Sequence, residues 1–371
     1  MKVMLVVNEF PPERVRGTAM ATASLADALA ARGVTVDVVV TTRATAPALE
    51  RRGGVTVHRL RTLGMPWTRS AQRAFGVLRL ARALRPDVVQ GQAISCGLFA
   101  VLAGRALGVP SVTYVQGMDH AEAGPLQRRL EVRPAVRGAA RTLAVTRALA
   151  DRVARECGRP VTVVPHGYQR EAVGAEALDA ARRRLKGGHP SLLYVGFLEP
   201  DKGAHVAVAA LPLLRGEWPA VRLHVVGDGP LRPALEAAAA RAGTSQHLVL
   251  HGALPHADVV ALMRTSDVLL APSVANEPFG IATIEALGEG CPVVASEVCG
   301  TAEVVAGSGG GLVVPVADPA SLAAATSSIL ADPGRRPAMA EAARRTGAAF
   351  AWERNVERFE RVYRQLVEPR R

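Results

Sequence analysis

Short β-branched runs recur along the chain, separated by alanine-rich amphipathic stretches. In the first half, Val3–Val7, Val34–Val40, Val55–Leu60, Asp87–Gln90, Ser111–Val115, Thr142–Val145 and Val161–Val164 predict strands. Ala19–Arg32, Ser70–Leu84 and Arg147–Glu156 predict helices between them. Strands that are apolar almost throughout, alternating with helices, predict a parallel sheet covered on both faces. The pattern breaks at Pro165-His166-Gly167, and a polar, arginine-rich stretch leads to Gly187-Gly188-His189-Pro190. It resumes with Leu192–Val195, Arg222–Val226, Leu248–His251, Val268–Ala271, Val293–Ala295 and Gly311–Val314, and a last helical pattern covers Asn355–Leu366.

The reading is therefore α/β: two Rossmann-like, doubly wound parallel-sheet domains facing each other across a cleft. The first covers 1–168, a linker 169–190, the second 191–349, and a helix in 350–371 packs back onto the first. A chain of 371 residues suits two such domains. Ligands of such sheets gather where strand C-termini open into a crevice.

Composition narrows the class. With 49 % hydrophobic residues the chain can bury two ordinary cores. No apolar stretch has the ~18 residues of a transmembrane helix. The opening Met1–Phe10 is short and soon followed by Pro11 and Pro12, so it reads as a buried strand and not a signal peptide. Cys96, Cys157, Cys291 and Cys299 lack metal-ligand spacing and fit a reducing cytoplasm. The formal charge of +12 is spread along the chain, which argues against a nucleic-acid partner. Of the 45 basic residues only Lys2, Lys186 and Lys202 are lysines, and that rarity singles them out.

The most informative segment is Asn276-Glu277-Pro278-Phe279-Gly280-Ile281-Ala282-Thr283-Ile284-Glu285. It predicts a strand ending at Ala271, a loop carrying Glu277, and a helix beginning near Phe279. The first N–H groups of a helix lack intrahelical partners and its dipole is positive there, which suits a diphosphate. Glu285 stands roughly 9 Å further along the axis at 1.5 Å per residue. Two carboxylates so separated could accept from hydroxyls at both ends of a nucleotide sugar, with its phosphates between them.

That segment resembles the Glu-x7-Glu signature of retaining glycosyltransferase family 4, of the GT-B fold. Around it, Gly196-Phe197-Leu198-Glu199-Pro200-Asp201-Lys202-Gly203 is similar to the family's Gly-Arg-Leu-x-x-x-Lys-Gly loop, and Val226-Gly227-Asp228-Gly229-Pro230 to its Val-Gly-x-Gly-Pro turn. Cys291–Ser296, Gly300–Val305, Phe10-Pro11-Pro12 with Gly17, and Pro165-His166-Gly167 fit its other blocks in order. The resemblance implies a hexosyltransferase taking a UDP- or GDP-sugar, with no metal or other cofactor. Glu277 would hold the sugar hydroxyls and Glu285 the ribose. Backbone N–H groups at Phe279, Gly280, Ile281 and Ala282 would meet sugar and phosphate. Lys202 would stabilise the departing diphosphate, with Gly17, Gly196 and Gly227 close to the donor and Leu254 beside the base. The implied reaction is front-face attack with retention at the anomeric carbon.

The sequence departs from the family at three places. Phe197 stands where arginine is usual, Gln90-Gly91-Gln92 where His-x-His is frequent, and Gln116 where a histidine commonly precedes the glycine. Glutamine donates and accepts but does not titrate. Gln92, Gln116 and His120 are thus candidate contacts to acceptor or sugar. Two other readings stand beside the transferase: a nucleotide-sugar 2-epimerase on the same fold, and a non-catalytic partner subunit. The acceptor is open, whether a small metabolite, a natural product, a lipid or a glycan. The arginines of 69–85 and 128–141 could face an anionic membrane or a phosphorylated or carboxylated small molecule, or be solvated helix faces, the favoured reading.

Overall fold

The computed structural model describes residues 1–12, 17–42, 46–60, 66–117, 124–275 and 277–368, and of 66–68 the backbone alone. The chain forms two compact units, one of Met1–Gly167 with Trp352–Arg371 and one of Tyr168–Ala351.

The first unit carries eight strands: β1 (Lys2–Val7), β2 (Thr35–Val40), β3 (Leu49–Arg52), β4 (Val55–Arg59), β5 (Val88–Gln92), β6 (Ser111–Val115), β7 (Arg141–Ala144) and β8 (Thr162–Val163). They lie in the order β3-β4-β2-β1-β5-β6-β7-β8. Seven are parallel; β3 pairs antiparallel with β4. Its helices are α1 (Gly17–Ala31), α2 (Pro66–Leu84), α3 (Ile94–Leu107), the short α4 (Pro125–Gln127) running through a π turn into α5 (Arg133–Gly138), and α6 (Arg147–Cys157). Val3, Met4, Leu5 and Val6 in β1 are wholly buried, as expected of a central strand covered on both faces.

The second unit holds β9 (Ser191–Val195), β10 (Arg222–Val226), β11 (Leu248–Gly252), β12 (Val268–Ala271), β13 (Val293–Ser296) and β14 (Gly311–Val314). They form a wholly parallel sheet in the order β11-β10-β9-β12-β13-β14. Its helices are α7 (Ala175–Arg184), α8 (Ala204–Glu217), α9 (Arg232–Arg241), α10 (His256–Thr265), α11 (Ile281–Glu289), α12 (Ala302–Ser308), α13 (Pro319–Leu330) and α14 (Arg335–Gly347). The core of this unit gathers Leu192, Leu211, Leu223, Val268 and Ile329.

The stretch expected as a linker, 169–190, is corrected in part. It contains α7, which packs on α10 and belongs to the second unit. Ala181 and Leu185 supply its buried side, while arginines dominate its surface and made the stretch look like linker.

The last helix, α15 (Trp352–Val367), belongs to the first unit and packs on α1. Trp352, Val356, Phe359 and Tyr363 recur at helical spacing and are buried. Phe359 meets Tyr114 edge-on at 5.3 Å between centroids. Tyr363 donates to Gln90 Oε1 at 2.8 Å, Asn355 donates to the Pro165 carbonyl at 2.8 Å, and Arg32 Nε pairs with Glu360 at 2.7 Å. Among the described residues no helix is long and apolar enough to cross a membrane.

Candidate functional site

In the second sheet β9 lies between β10 and β12, so the chain's connections diverge to opposite sides there. A crevice opens at such a switch point, outside the carboxyl ends of the strands. The two loops that leave those ends are the ones the sequence singles out: Gly196–Gly203 after β9, and the segment through Glu277 after β12.

Several contacts hold the loop after β9. Gly196 N–H donates to the Val226 carbonyl at 3.0 Å and Leu198 N–H to Asp228 at 3.0 Å. The buried Tyr194 hydroxyl lies 3.2 Å from the carbonyls of Phe197 and Lys202, and burial raises its pKa. Gly203 has φ 74°, and a Cβ there would run into the Pro272 carbonyl. Glycine therefore lets the two loops touch. The contact continues with Val274 N–H donating to the Asp201 carbonyl at 2.9 Å.

Lys202 Nζ forms an ion pair with Glu277 Oε2. Their side chains are 31 % and 18 % exposed, so a ligand can reach both. The two residues are 75 apart in sequence, and each neutralises the other's charge at the mouth of the switch point. Glu277 is fixed from its backbone too, because Gly300 N–H donates to its carbonyl at 2.7 Å.

The helix expected near Phe279 begins two residues later, at Ile281. Gly280 has φ 86°, outside helical geometry, and a Cβ on it would come within 2.8 Å of Cys299 Sγ. The buried Phe279 therefore precedes the helix, and Ile281 and Ala282 are its first two residues. Beneath this turn the Cys299 thiol, pushed up in pKa by burial, lies 3.2 Å from Thr301 Oγ1.

Glu285 sits in the second turn of α11 and its carboxylate is engaged. His256 Nε2 lies 3.0 Å from Glu285 Oε1, and His256 Nδ1 lies 3.1 Å from Glu171 Oε1. The hydrogen bond with Glu285 is the largest influence on His256 and raises its pKa to about 9, against the opposing cost of burial. The imidazolium thus donates through both nitrogens at neutral pH. Arg264 completes the cluster: it pairs with Glu289 on α11 and donates to the Glu171 carbonyl at 3.0 Å. Neither His256 nor Glu171 stood out in the sequence. The one available signal, Pro255-His256 shortly after β11, reads equally well as a helix start.

The other expected residues fall as follows. Gly227 opens the turn after β10, its N–H donating to Gly252 at 2.9 Å. Leu254 is half-buried between β11 and α10. Gly17 is the exposed first residue of α1, and a Cβ there would meet nothing within 4 Å. His120 lies outside the described residues. Gln92 and Gln116 adjoin at the C-terminal ends of β5 and β6, with Gln116 Nε2 donating to Gln92 Oε1. Gln92 Nε2 and Gln116 Oε1 are buried with no partner among the described residues.

Comparison with known proteins follows this geometry. The model of Glycosyltransferase Family 4 matches residues 15–171, and that of Glycosyl transferases group 1 matches 175–346. The chain is 33 % identical to the 2-deoxystreptamine glucosyltransferase of Streptomyces kanamyceticus, covering 82 % of this chain and 81 % of that one. It is 29 % identical to the glycogen synthase of Mycobacterium tuberculosis, over 98 % of this chain and 94 % of the relative. Among solved structures, Anabaena HepE in complex with UDP superposes with a TM-score of 0.81 over 99 % of this chain and 100 % of that one, at 19 % identity, a likeness of fold.

Proposed function

The chain belongs to glycosyltransferase family 4, with the GT-B fold, and on that premise we propose that it moves a hexose from a nucleoside diphosphate, UDP or GDP, to a hydroxyl of its acceptor with retention and without a metal. The observation that carries this reading is the Lys202–Glu277 pair at the switch point of the second sheet. A cation and a carboxylate held side by side suit the two halves of a sugar diphosphate. Lys202 takes the phosphate oxygens and Glu277 accepts from the sugar hydroxyls. The N-terminus of α11 adds the positive end of a helix dipole. Glu285, oriented by His256, accepts from the ribose hydroxyls.

In the step itself the bond between the anomeric carbon and the phosphate oxygen breaks. The acceptor oxygen bonds that carbon on the same face, and its proton passes to the departing phosphate. Lys202 lowers the barrier because negative charge accumulates on that phosphate as the bond breaks. Gln92 and Gln116 retain one donor and one acceptor for a sugar or acceptor hydroxyl. UDP in the HepE complex supports a UDP-sugar as the donor.

The test is calorimetry with UDP-, GDP- and dTDP-glucose, followed by chromatography of donor incubated without acceptor. Binding of a nucleotide sugar that weakens in both Glu277→Gln and Glu285→Ala supports the site. Binding indifferent to both substitutions defeats it, and an epimer of the donor as the product replaces transfer with epimerisation.

A further inference from the structure

The first unit holds a cavity of about 730 Å3 that the reading above does not use. It lies at the C-terminal end of β4, where Leu60 follows the strand, and under the outer face of α2. Leu49, Leu60, Phe75 and Leu80 supply its apolar wall, and His58, Arg59 and Arg79 its polar groups. Volume and lining match a small-molecule site, mostly apolar with a few placed polar groups.

Two features of α2 make this a site and not a packing gap. Val77 and Ala81 face the core and are fully buried, so the helix is already anchored by its other side. Phe75 and Arg79, four residues apart and hence on one face, are turned outward; Phe75 is 68 % exposed and Leu49 across the cavity is 55 % exposed. Folding leaves both apolar side chains uncovered at the mouth.

The charges are unequal in their needs. His58 lies 2.8 Å from Asp37 Oδ1, and Asp37 is held below its ordinary pKa by that bond and by Lys2 despite partial burial. Arg59 pairs with Glu50 at 2.8 Å and donates to the carbonyls of Pro11 and Pro47 at 2.8 and 3.2 Å. Both side chains are committed within the protein. Arg79 is exposed and has no ion pair among the described residues. No carboxylate occurs in the sequence between Glu50 and Asp87, and the two carboxylates beside the lining, Glu50 and Asp37, are held by Arg59 and His58. The cavity therefore presents an apolar wall with one uncompensated guanidinium at its edge.

We propose that this cavity seats the acceptor, and that the acceptor is an amphiphilic organic anion whose apolar body lies against Phe75 and Leu49 while its carboxylate or phosphate pairs with Arg79. The assignment of acceptor rests on the transferase reading; the binding of such an anion does not. Its place fits, because ligands of these sheets bind beyond the carboxyl ends of the strands. Arg59 also ties the cavity floor to Pro11 in the loop after β1, the central strand of the sheet.

The probe is anilinonaphthalene sulfonate, an aryl anion whose fluorescence reports apolar contact, set against neutral phenylnaphthylamine. Phe75→Ser should weaken both by roughly tenfold, the loss expected when an aromatic contact is removed. Arg79→Ala should weaken the sulfonate by roughly tenfold and leave the neutral amine unchanged. Arg82→Ala removes an equal charge from an exposed position of α2 outside the lining, so it should alter neither. Equal effects of Arg79→Ala and Arg82→Ala would overturn the site in favour of general charge attraction. Sedimentation with phosphatidylcholine vesicles containing phosphatidylglycerol is the second arm: binding there that needs Phe75 and Arg79, with no uptake of the soluble probe, would make this a membrane surface and overturn the proposal. In transfer assays, Arg79→Ala should raise KM for hydroxyaryl carboxylates and not for neutral phenols. Donor calorimetry runs in parallel. Donor bound normally with no probe at the cavity refutes the cavity alone, and probe bound with no donor refutes the transferase reading alone.

Discussion

The pairing of His256 with Glu285 and Glu171 makes the second unit's stability depend on pH between 6.5 and about 9. The folded pKa of about 9 lies above the ordinary 6.5. The stabilisation is therefore complete below pH 6.5 and is lost as pH rises through about 9. A rise of that size corresponds to about 3 kcal/mol. The imidazole is 42 % exposed, so solvent screening reduces the contribution to about 1–2 kcal/mol. Replacing His256 by Gln keeps a hydrogen-bonding side chain and removes the charge. Urea unfolding at pH 6, 7.5 and 9.5 should show the wild type losing about 1–2 kcal/mol more than His256→Gln across the range. Arginine, tyrosine and lysine ionisations are common to both proteins and cancel in the difference. NMR titration of the imidazole gives its pKa directly, and Glu285→Gln should lower it more than Glu171→Gln, because the Glu285 hydrogen bond is the larger cause. A titration near 6.5, or identical pH slopes for wild type and variant, would refute the argument.

Lys202→Ala should lower turnover at saturating donor by on the order of a hundredfold, comparable to removing an oxyanion donor, with partial recovery in Lys202→Arg; near-normal kcat in a stopped assay would show that helix dipole and backbone suffice. Glu285→Ala should weaken nucleotide binding by tens-fold, through the loss of charge-assisted hydrogen bonds of about 1.5–3 kcal/mol each, as calorimetry can measure. Glu277→Gln should weaken the nucleotide sugar and leave the bare nucleoside diphosphate almost unchanged, and equal losses for the two ligands would make it a structural residue. Tyr363→Phe removes the donor to Gln90 inside the first unit and should cost about 1–3 kcal/mol, seen as a lower melting temperature without altered donor affinity.

The parallel strands were legible because the central ones are buried on both faces and rich in β-branched apolar residues, as β1 and β2 are. β3 escaped for the opposite reason. Its Leu-Glu-Arg-Arg sequence lies at the sheet edge with most residues exposed, and it carries no hydrophobic signal. Helix α7 was hidden similarly, by arginines that outnumber its buried positions. At the site, Glu277, Glu285 and Lys202 could be singled out because a motif carries them. The partner of each is set by tertiary structure alone: Lys202 meets Glu277 only because β9 and β12 are neighbours in the sheet. His256 reaches Glu285 only because α10 packs beside α11, and no spacing within a single stretch of sequence encodes that. The helix start near Phe279 missed by two residues because Gly280, chosen for close approach, also takes a backbone angle that delays the helix.

The return of α15 to the first unit sets an order on synthesis at the ribosome. The second unit, Tyr168–Ala351, is one continuous run and has all its strands once Ala351 has emerged. The first unit does not. Until Trp352–Val367 follows, the Pro165 carbonyl and the side chains of Arg32 and Gln90 lack the partners that α15 brings, and the Tyr114 ring lacks Phe359. Nascent chains usually complete their domains from the N-terminus onward. Here the unit begun first is finished last, and its unfinished face must be kept from aggregation for the time taken to translate the whole of the other. A fragment that stops at Gly167 would keep that face for good, so expressing the first unit by itself requires joining the α15 segment to it.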